Sequence, residues 1–167
     1  NMSDLVRVAV DAMGGDYAPV EPVKGAVEAV NADERVKVQL VGQVDVIEKE
    51  LQKYTYPKER VEIVPATEII ETGEPPVNAI RHKKDSSIVV GMKKVRYGEA
   101  DAFVSSGSTG AVLVGGQTIV GRIKGVERPP LAPLIPTKDG VSLLIDCGAN
   151  VDARPSHLVP VSYTHLR

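Results

Sequence analysis

The sequence predicts an α/β fold, three layers α/β/α around a largely parallel sheet. Short Val-rich runs alternate along the chain with segments whose apolar residues recur at helical spacing. The loops that follow several of these runs carry glycines and small hydroxyl residues. The 167 residues, 43% of them hydrophobic, suffice for one domain with its own core, and neither an internal repeat nor a low-complexity linker interrupts them.

The elements follow in order. Val6 to Asp11 reads as a first strand, and the loop Ala12 to Ala18 follows it. Pro19 and Pro22 suit a helix start, after which Val23, Ala26, Val27 and Val30 fall at i, i+3, i+4 and i+7. Val36 to Val41 is a second strand, ended by Gly42, and Val44, Ile47 and Leu51 mark the next helix. Val61 to Val64 is a third strand. The polar connection ATEIIETGEPP follows, broken by Gly73, Pro75 and Pro76. Ile88, Val89, Met92 and Val95 give a helix that Asp85 or Ser86 can cap and Gly98 can end. Ala102 to Val104 is a strand, with an apolar helical run from Ala111 in which Gly115 and Gly116 permit close packing. Arg128 to Pro136 is proline-rich and extended, Asp139-Gly140 signals a turn, and Val141 to Asp146 is a last strand.

Composition narrows the function. The net charge of -2 gives no basic field for nucleic acid, and 4% aromatics offer no stacking surface. One cysteine, Cys147, excludes a disulfide within the chain and fits a reducing cytosol. The N-terminal residues lack the pattern of a signal peptide. Ala102 to Gly121 is uncharged over 20 residues, but its five glycines, three serines, two threonines and one glutamine make it a buried strand–loop–helix unit rather than a membrane span.

In a parallel sheet, ligands bind beyond the carboxyl ends of the strands. Three loops fall there, Asp11 to Tyr17, Ser105 to Gly110 and Asp146 to Asp152, and we expect them to converge on one pocket. The run Ser105-Ser106-Gly107-Ser108-Thr109-Gly110 lies between a strand and a helix start. Free N–H groups, hydroxyls and glycines make such a turn an anion site, although a capped helix start without a ligand has the same residues. Asp11, Gly14, Gly15 and Asp16 form either a substrate-facing wall or a tight turn. Neither loop has a dinucleotide G-x-G-x-x-G or a nucleoside-triphosphate P-loop.

Asn150 can donate an amide hydrogen bond and Arg154 can bind phosphate with both arms of its guanidinium, with Asp146 and Asp152 to orient them. The alternative is a polar loop that satisfies its own backbone. The segment Arg81 to Arg96 has six Lys/Arg and one acid, which suits an anion or acidic partner but equally a solvated helix face. Cys147 has no evident activating partner and reads as a small buried apolar residue. His157 and His165 give no metal-ligand spacing with it.

Four ordered blocks carry a resemblance: VAVDAMGGDYAP, ETGEPPVNAIRHKKDSSI, ADAFVSSGSTGAVL and LLIDCGANVDARPSHLV. Together they resemble the PlsX family, the acyl-acyl carrier protein:phosphate acyltransferases of bacterial phospholipid synthesis. The resemblance implies an isopropylmalate dehydrogenase-like fold. It implies transfer of a fatty acyl group from the thioester of acyl carrier protein to inorganic phosphate, giving acyl phosphate, with no metal or nucleotide cofactor.

It further implies a cytoplasmic homodimer, peripherally associated with the membrane, whose product serves glycerol-3-phosphate acyltransferase there. On this basis Ser105, Gly107, Ser108, Thr109 and Gly110 would cradle phosphate, and Asn150 and Arg154 would act on phosphate or the oxyanion as the catalytic pair. Asp11, Gly14, Gly15, Asp16 and Asp146 would shape the site. Lys83 and Lys84 would attract the anion or the acidic carrier protein.

The family is about twice as long as this chain, so residues 5–159 are expected to be the N-terminal part of a single truncated domain. Residues 160–167 do not match the family pattern, and Pro160 opposes a continuing helix. Two other readings remain at this point: a phosphate acetyltransferase-like enzyme using acyl-CoA, and a non-catalytic anion-binding module.

Overall fold

Valine and isoleucine suit a pleated strand that is covered on both faces, and such runs set the sheet. In the computed structural model, residues 5–126, 129–144 and 147 are described. The first 120 residues form one compact unit and residues 121–167 a second. In the first, β1 (Val6–Asp11), β2 (Val36–Gly42), β3 (Val61–Pro65) and β4 (Ala102–Val104) pair in the order β3-β2-β1-β4. Every pairing is parallel, with Val10 opposite both Leu40 and Val104, and Leu40 opposite Ile63.

The helices lie on both sheet faces, which gives the three layers. α1 (Val20–Ala32) and α2 (Val44–Leu51) cover one face. There Val23, Ala26, Val27, Val30, Ile47 and Leu51 pack with the strand residues Val10, Val38, Leu40 and Ile63. The opposite pleat presents Ala9, Val41, Val64 and Phe103 to α4 (Ser87–Arg96), through Val90 and Val95. α4 also joins α3 (Pro76–His82) and α5 (Thr109–Gly115) in a cluster of Ala79, Ile80, Ile88, Val89, Met92 and Ala111. A 3₁₀ turn, Lys58–Arg60, leads into β3, and a π-helical turn, Gly116–Val120, follows α5.

Local chemistry explains the boundaries. Ser86 caps α4 by accepting a hydrogen bond from the Val89 amide, so of the two candidate caps it is Ser86 that acts. Ser108 caps α5 in the same way, accepting from Ala111, and the helix starts two residues before the expected apolar run. α3 falls inside a stretch expected to be a polar connection and a basic run. Pro76 occupies its first turn, where a missing N–H costs nothing and the fixed φ is already helical.

The second unit contains an antiparallel hairpin, β5 (Leu134–Thr137) and β6 (Gly140–Leu143), whose turn is Lys138-Asp139. The expected strand from Val141 is therefore present to Leu143. Its last residues, Ile145 and Asp146, lie outside the described ones.

Two helical glycines make opposite predictions. A Cβ on Gly91 would lie 2.4 Å from Phe103 Cε2, whereas one on Gly25 would meet nothing within 4 Å. Gly91→Ala is expected to lower stability by about 1–3 kcal/mol through overpacking. Gly25→Ala should raise it by about 0.5–1 kcal/mol through helix propensity, both read from urea unfolding midpoints.

Candidate functional site

The strand order turns back between β1 and β4. β2 and β3 extend the sheet on one side of β1, and the chain then crosses to place β4 on the other. At such a reversal the loops leaving the two strands diverge and open a crevice. Here these are the Asp11–Tyr17 and Ser105–Gly110 loops, so two of the three expected loops meet. The third, at Asp146–Asp152, lies outside the described residues except for Cys147, as do Asp146, Asn150 and Arg154.

The meeting is direct. Asp11, 1% exposed, ends β1, and its carboxylate accepts the Ser105 hydroxyl at 2.7 Å and the Met13 amide at 3.1 Å. Ser105 Oγ in turn accepts the Gly107 amide at 3.0 Å, and the Ser106 hydroxyl donates to the Gly14 carbonyl at 3.1 Å. The glycines permit this approach. A Cβ on Gly14 would lie 2.3 Å from Asp11 Oδ2 and 2.9 Å from the Gly107 nitrogen. Gly15 has φ +101°, a conformation L side chains rarely adopt, and its backbone faces Ser106.

The expected site residues thus divide by task. Asp11, Gly14, Gly15, Ser105 and Gly107 hold the two loops together. Asp11 turns its carboxylate onto donors from both loops. Ser108 is buried, and its Oγ caps α5 by accepting the Ala111 amide at 3.2 Å. Thr109 and Gly110 are the first two residues of α5, whose N–H groups have no partner within a helix. Thr109 and Asp16 are exposed. Gly110 has a packing role as well: a Cβ there would lie 2.6 Å from Pro76 Cγ.

Lys83 and Lys84 are not bonded to this cluster. Lys83 Nζ contacts Glu74 Oε1 and donates to the Ile69 carbonyl at 2.6 Å, while Lys84 Nζ donates to the Ile80 carbonyl at 3.2 Å. Lys94 pairs with Glu99, and Arg96 donates to the Val120 carbonyl. Much of the basic run is therefore used within the chain. Cys147, expected to be buried, is exposed, and its amide donates to the Leu131 carbonyl. An open pocket of about 340 Å³ lies at the ends of β2 and β3, lined by Gly42–Asp45 and Pro65–Thr67, and contains none of the expected site residues.

Sequence reasoning missed Glu74 and Pro76, which sit in what looked like a simple break. A Pro-Pro pair ahead of Ala79 and Ile80 was the available signal for a helix start. The connection they belong to is pinned at both ends. Thr67 donates its amide and hydroxyl to Asp85 Oδ2 at 3.0 and 2.6 Å, and the Asp85 amide donates to Glu68 Oε2 at 2.9 Å.

Comparison with known proteins places this architecture. It is similar in fold to a phosphotransacetylase from Streptococcus pyogenes, at TM-score 0.67 and 18% identity, covering 96% of this chain and 52% of that one. EutD phosphotransacetylase from Staphylococcus aureus gives 0.65 and 18%, covering 95% and 51%. The chain belongs to the family described as "Fatty acid synthesis protein", whose model matches residues 6–165. It is 50% identical over 155 residues to a phosphate acyltransferase of Alkaliphilus oremlandii and 50% over 154 to one of Clostridium beijerinckii. Each match covers 92% of this chain and 46% of the relative, so the chain spans about half the length of these curated relatives.

Two outcomes are expected from the geometry. Ser105→Ala should lower stability by about 1–3 kcal/mol, because it strips a buried carboxylate of a donor. The loss should shrink on an Asp11→Ala background in a urea-unfolding double-mutant cycle. The second outcome concerns pH. Glu74 is held below its ordinary 4.5, first by the Lys83 hydrogen bond and then by the Glu71 amide. Asp85 is held below 3.8, first by the Thr67 hydroxyl and then by the Thr67 amide. Depressed carboxyls contribute stability that is present above their unfolded values and lost as pH falls through their folded ones. The Thr67 amide should accordingly keep its exchange protection down to about pH 4 and lose it only as pH falls further, corrected for intrinsic rate, while the Leu40 amide keeps its own.

Proposed function

We propose that the whole protein transfers a fatty acyl group from the thioester of acyl carrier protein to inorganic phosphate. The observation that carries this reading is the junction of the two loops at the β1/β4 reversal, in a chain half identical to proteins named phosphate acyltransferase. A phosphate oxygen attacks the thioester carbonyl, and a C–O bond forms as the carbonyl oxygen takes up negative charge. The C–S bond then breaks, the thiolate leaves and takes a proton, and acyl phosphate remains.

Phosphate is itself the nucleophile, so no covalent enzyme intermediate is needed. The protein must place phosphate beside the carbonyl and stabilise the oxyanion. The Thr109 hydroxyl and the Thr109 and Gly110 N–H groups would hold phosphate. Asn150 and Arg154 would serve phosphate or the oxyanion. Asp11, Ser105, Ser106 and Ser108 are engaged in holding that turn in place, which is how they would contribute. The reading also carries a homodimer at the membrane surface that supplies a glycerol-3-phosphate acyltransferase. Among the described residues no helix is long and apolar enough to cross a membrane.

The test is phosphate-dependent formation of acyl phosphate by the whole protein, trapped with hydroxylamine as the hydroxamate. Palmitoyl-acyl carrier protein and palmitoyl-CoA are compared as donors. Turnover with the carrier protein supports the proposal. Turnover with CoA alone favours the acetyltransferase-like reading, and phosphate binding without turnover of either favours a binding module. Thr109→Ala, which leaves the Ser108 cap intact, should raise the phosphate KM by roughly tenfold or more, the worth of a hydrogen bond to a charged group. An unchanged KM counts against the cradle.

A further inference from the structure

Lys83 sits away from the joined loops, yet it is tied into the turn that presses on one of them. We propose that Lys83 is a positioning residue of the β1/β4 site, its ion pair with Glu74 holding Pro76 against Gly110 and so setting the place of the Ser108–Gly110 turn. The inference rests on the reading of that turn as a phosphate site.

The contacts form a continuous line. Glu74 Oε1 meets Lys83 Nζ and also accepts the Glu71 amide at 2.8 Å. The Glu74 amide returns to the Glu71 carbonyl at 3.2 Å, which closes the turn. Lys83 Nζ anchors the same segment through the Ile69 carbonyl at 2.6 Å. Pro75 and Pro76 follow Glu74 directly. Their rings fix φ at both residues, which narrows the ways a displacement of Glu74 can be absorbed.

Pro76 then meets Gly110, where a Cβ would lie 2.6 Å from Pro76 Cγ and 3.4 Å from Pro76 Cβ. The proline therefore bears on the backbone of α5's second residue. On its other side the same turn is stopped by Gly14, whose Cα lies 3.2 Å from where a Gly107 Cβ would be. The segment Gly107 to Gly110 thus meets Gly14 at its start and Pro76 at its end.

Direct anion binding by Lys83 fits this geometry poorly. An ammonium group has three donors, and two are used on Glu74 and Ile69. Both side chains are partly buried, 31% and 28% exposed, and the ammonium is already paired with a carboxylate. An incoming phosphate would find one N–H left on it.

A double-mutant cycle separates the two roles. Lys83→Met, Glu74→Ala, their combination and Lys83→Arg are made in the whole protein, and phosphate KM and kcat are measured with palmitoyl-acyl carrier protein. Positioning predicts that each single variant raises KM by about tenfold with kcat changed far less. The double variant is then no worse than either single, and Lys83→Arg recovers most of the loss. If Glu74→Ala leaves KM unchanged or lowers it while Lys83→Met raises it, Lys83 binds the anion itself and the proposal falls. Additive effects also overturn it.

Amide hydrogen exchange in this chain gives a readout independent of turnover. Thr109, Gly110 and Ala111 should exchange faster in both single variants, with Leu40 unaffected. Unchanged exchange at α5 overturns the positioning role. Absence of acyl phosphate from the unaltered protein instead sinks the functional reading, and the exchange data still decide the contact line.

Discussion

A carboxylate taken out of water must find donors, and Asp11 is the point on which the rest of this structure turns. It ends the first strand with its side chain 1% exposed, inside the sheet's carboxyl edge. Its own loop supplies one donor, the Met13 amide, and the other comes from Ser105. That demand binds the two loops at the sheet reversal. The glycines follow from it: a side chain at Gly14 would occupy the space of the carboxylate oxygen, and one at Gly107 would crowd Gly14. Burial of one charge thus accounts for the DAMGGD and SSG segments together.

The serines change meaning once this is seen. A hydroxyl-rich turn before a helix suggests a set of anion donors. Ser105 and Ser106 donate their hydroxyls to Asp11 and the Gly14 carbonyl, and Ser108 Oγ accepts the Ala111 amide at the α5 cap. Thr109 is exposed.

The sheet, α1, α2 and the cap of α4 were legible because each rests on local pattern: Val-rich runs, helical spacing of Val23 to Val30, and Ser86 ahead of Ile88. α3 was not, since its buried side consists of Ala79 and Ile80 alone and its prolines resemble a break. The joining of the β1 and β4 loops followed from the rule for parallel sheets. The partners of Asp11 and Lys83 did not, because they depend on which groups tertiary packing brings within reach. The contact of Gly110 with Pro76 was hidden for the same reason. The Asn150 and Arg154 assignments fall outside the described residues.

The order of strands has a consequence for how the chain reaches this state. Asp11 and Ser105 are 94 residues apart, and the strands that carry them are neighbours. β1, β2 and β3 can assemble through successive short crossovers, each closing a modest loop. β4 must return across the whole of that unit, with the largest closure entropy of the sheet. The junction of the two loops exists only once β4 has docked, so the first three strands alone give most of the sheet without it.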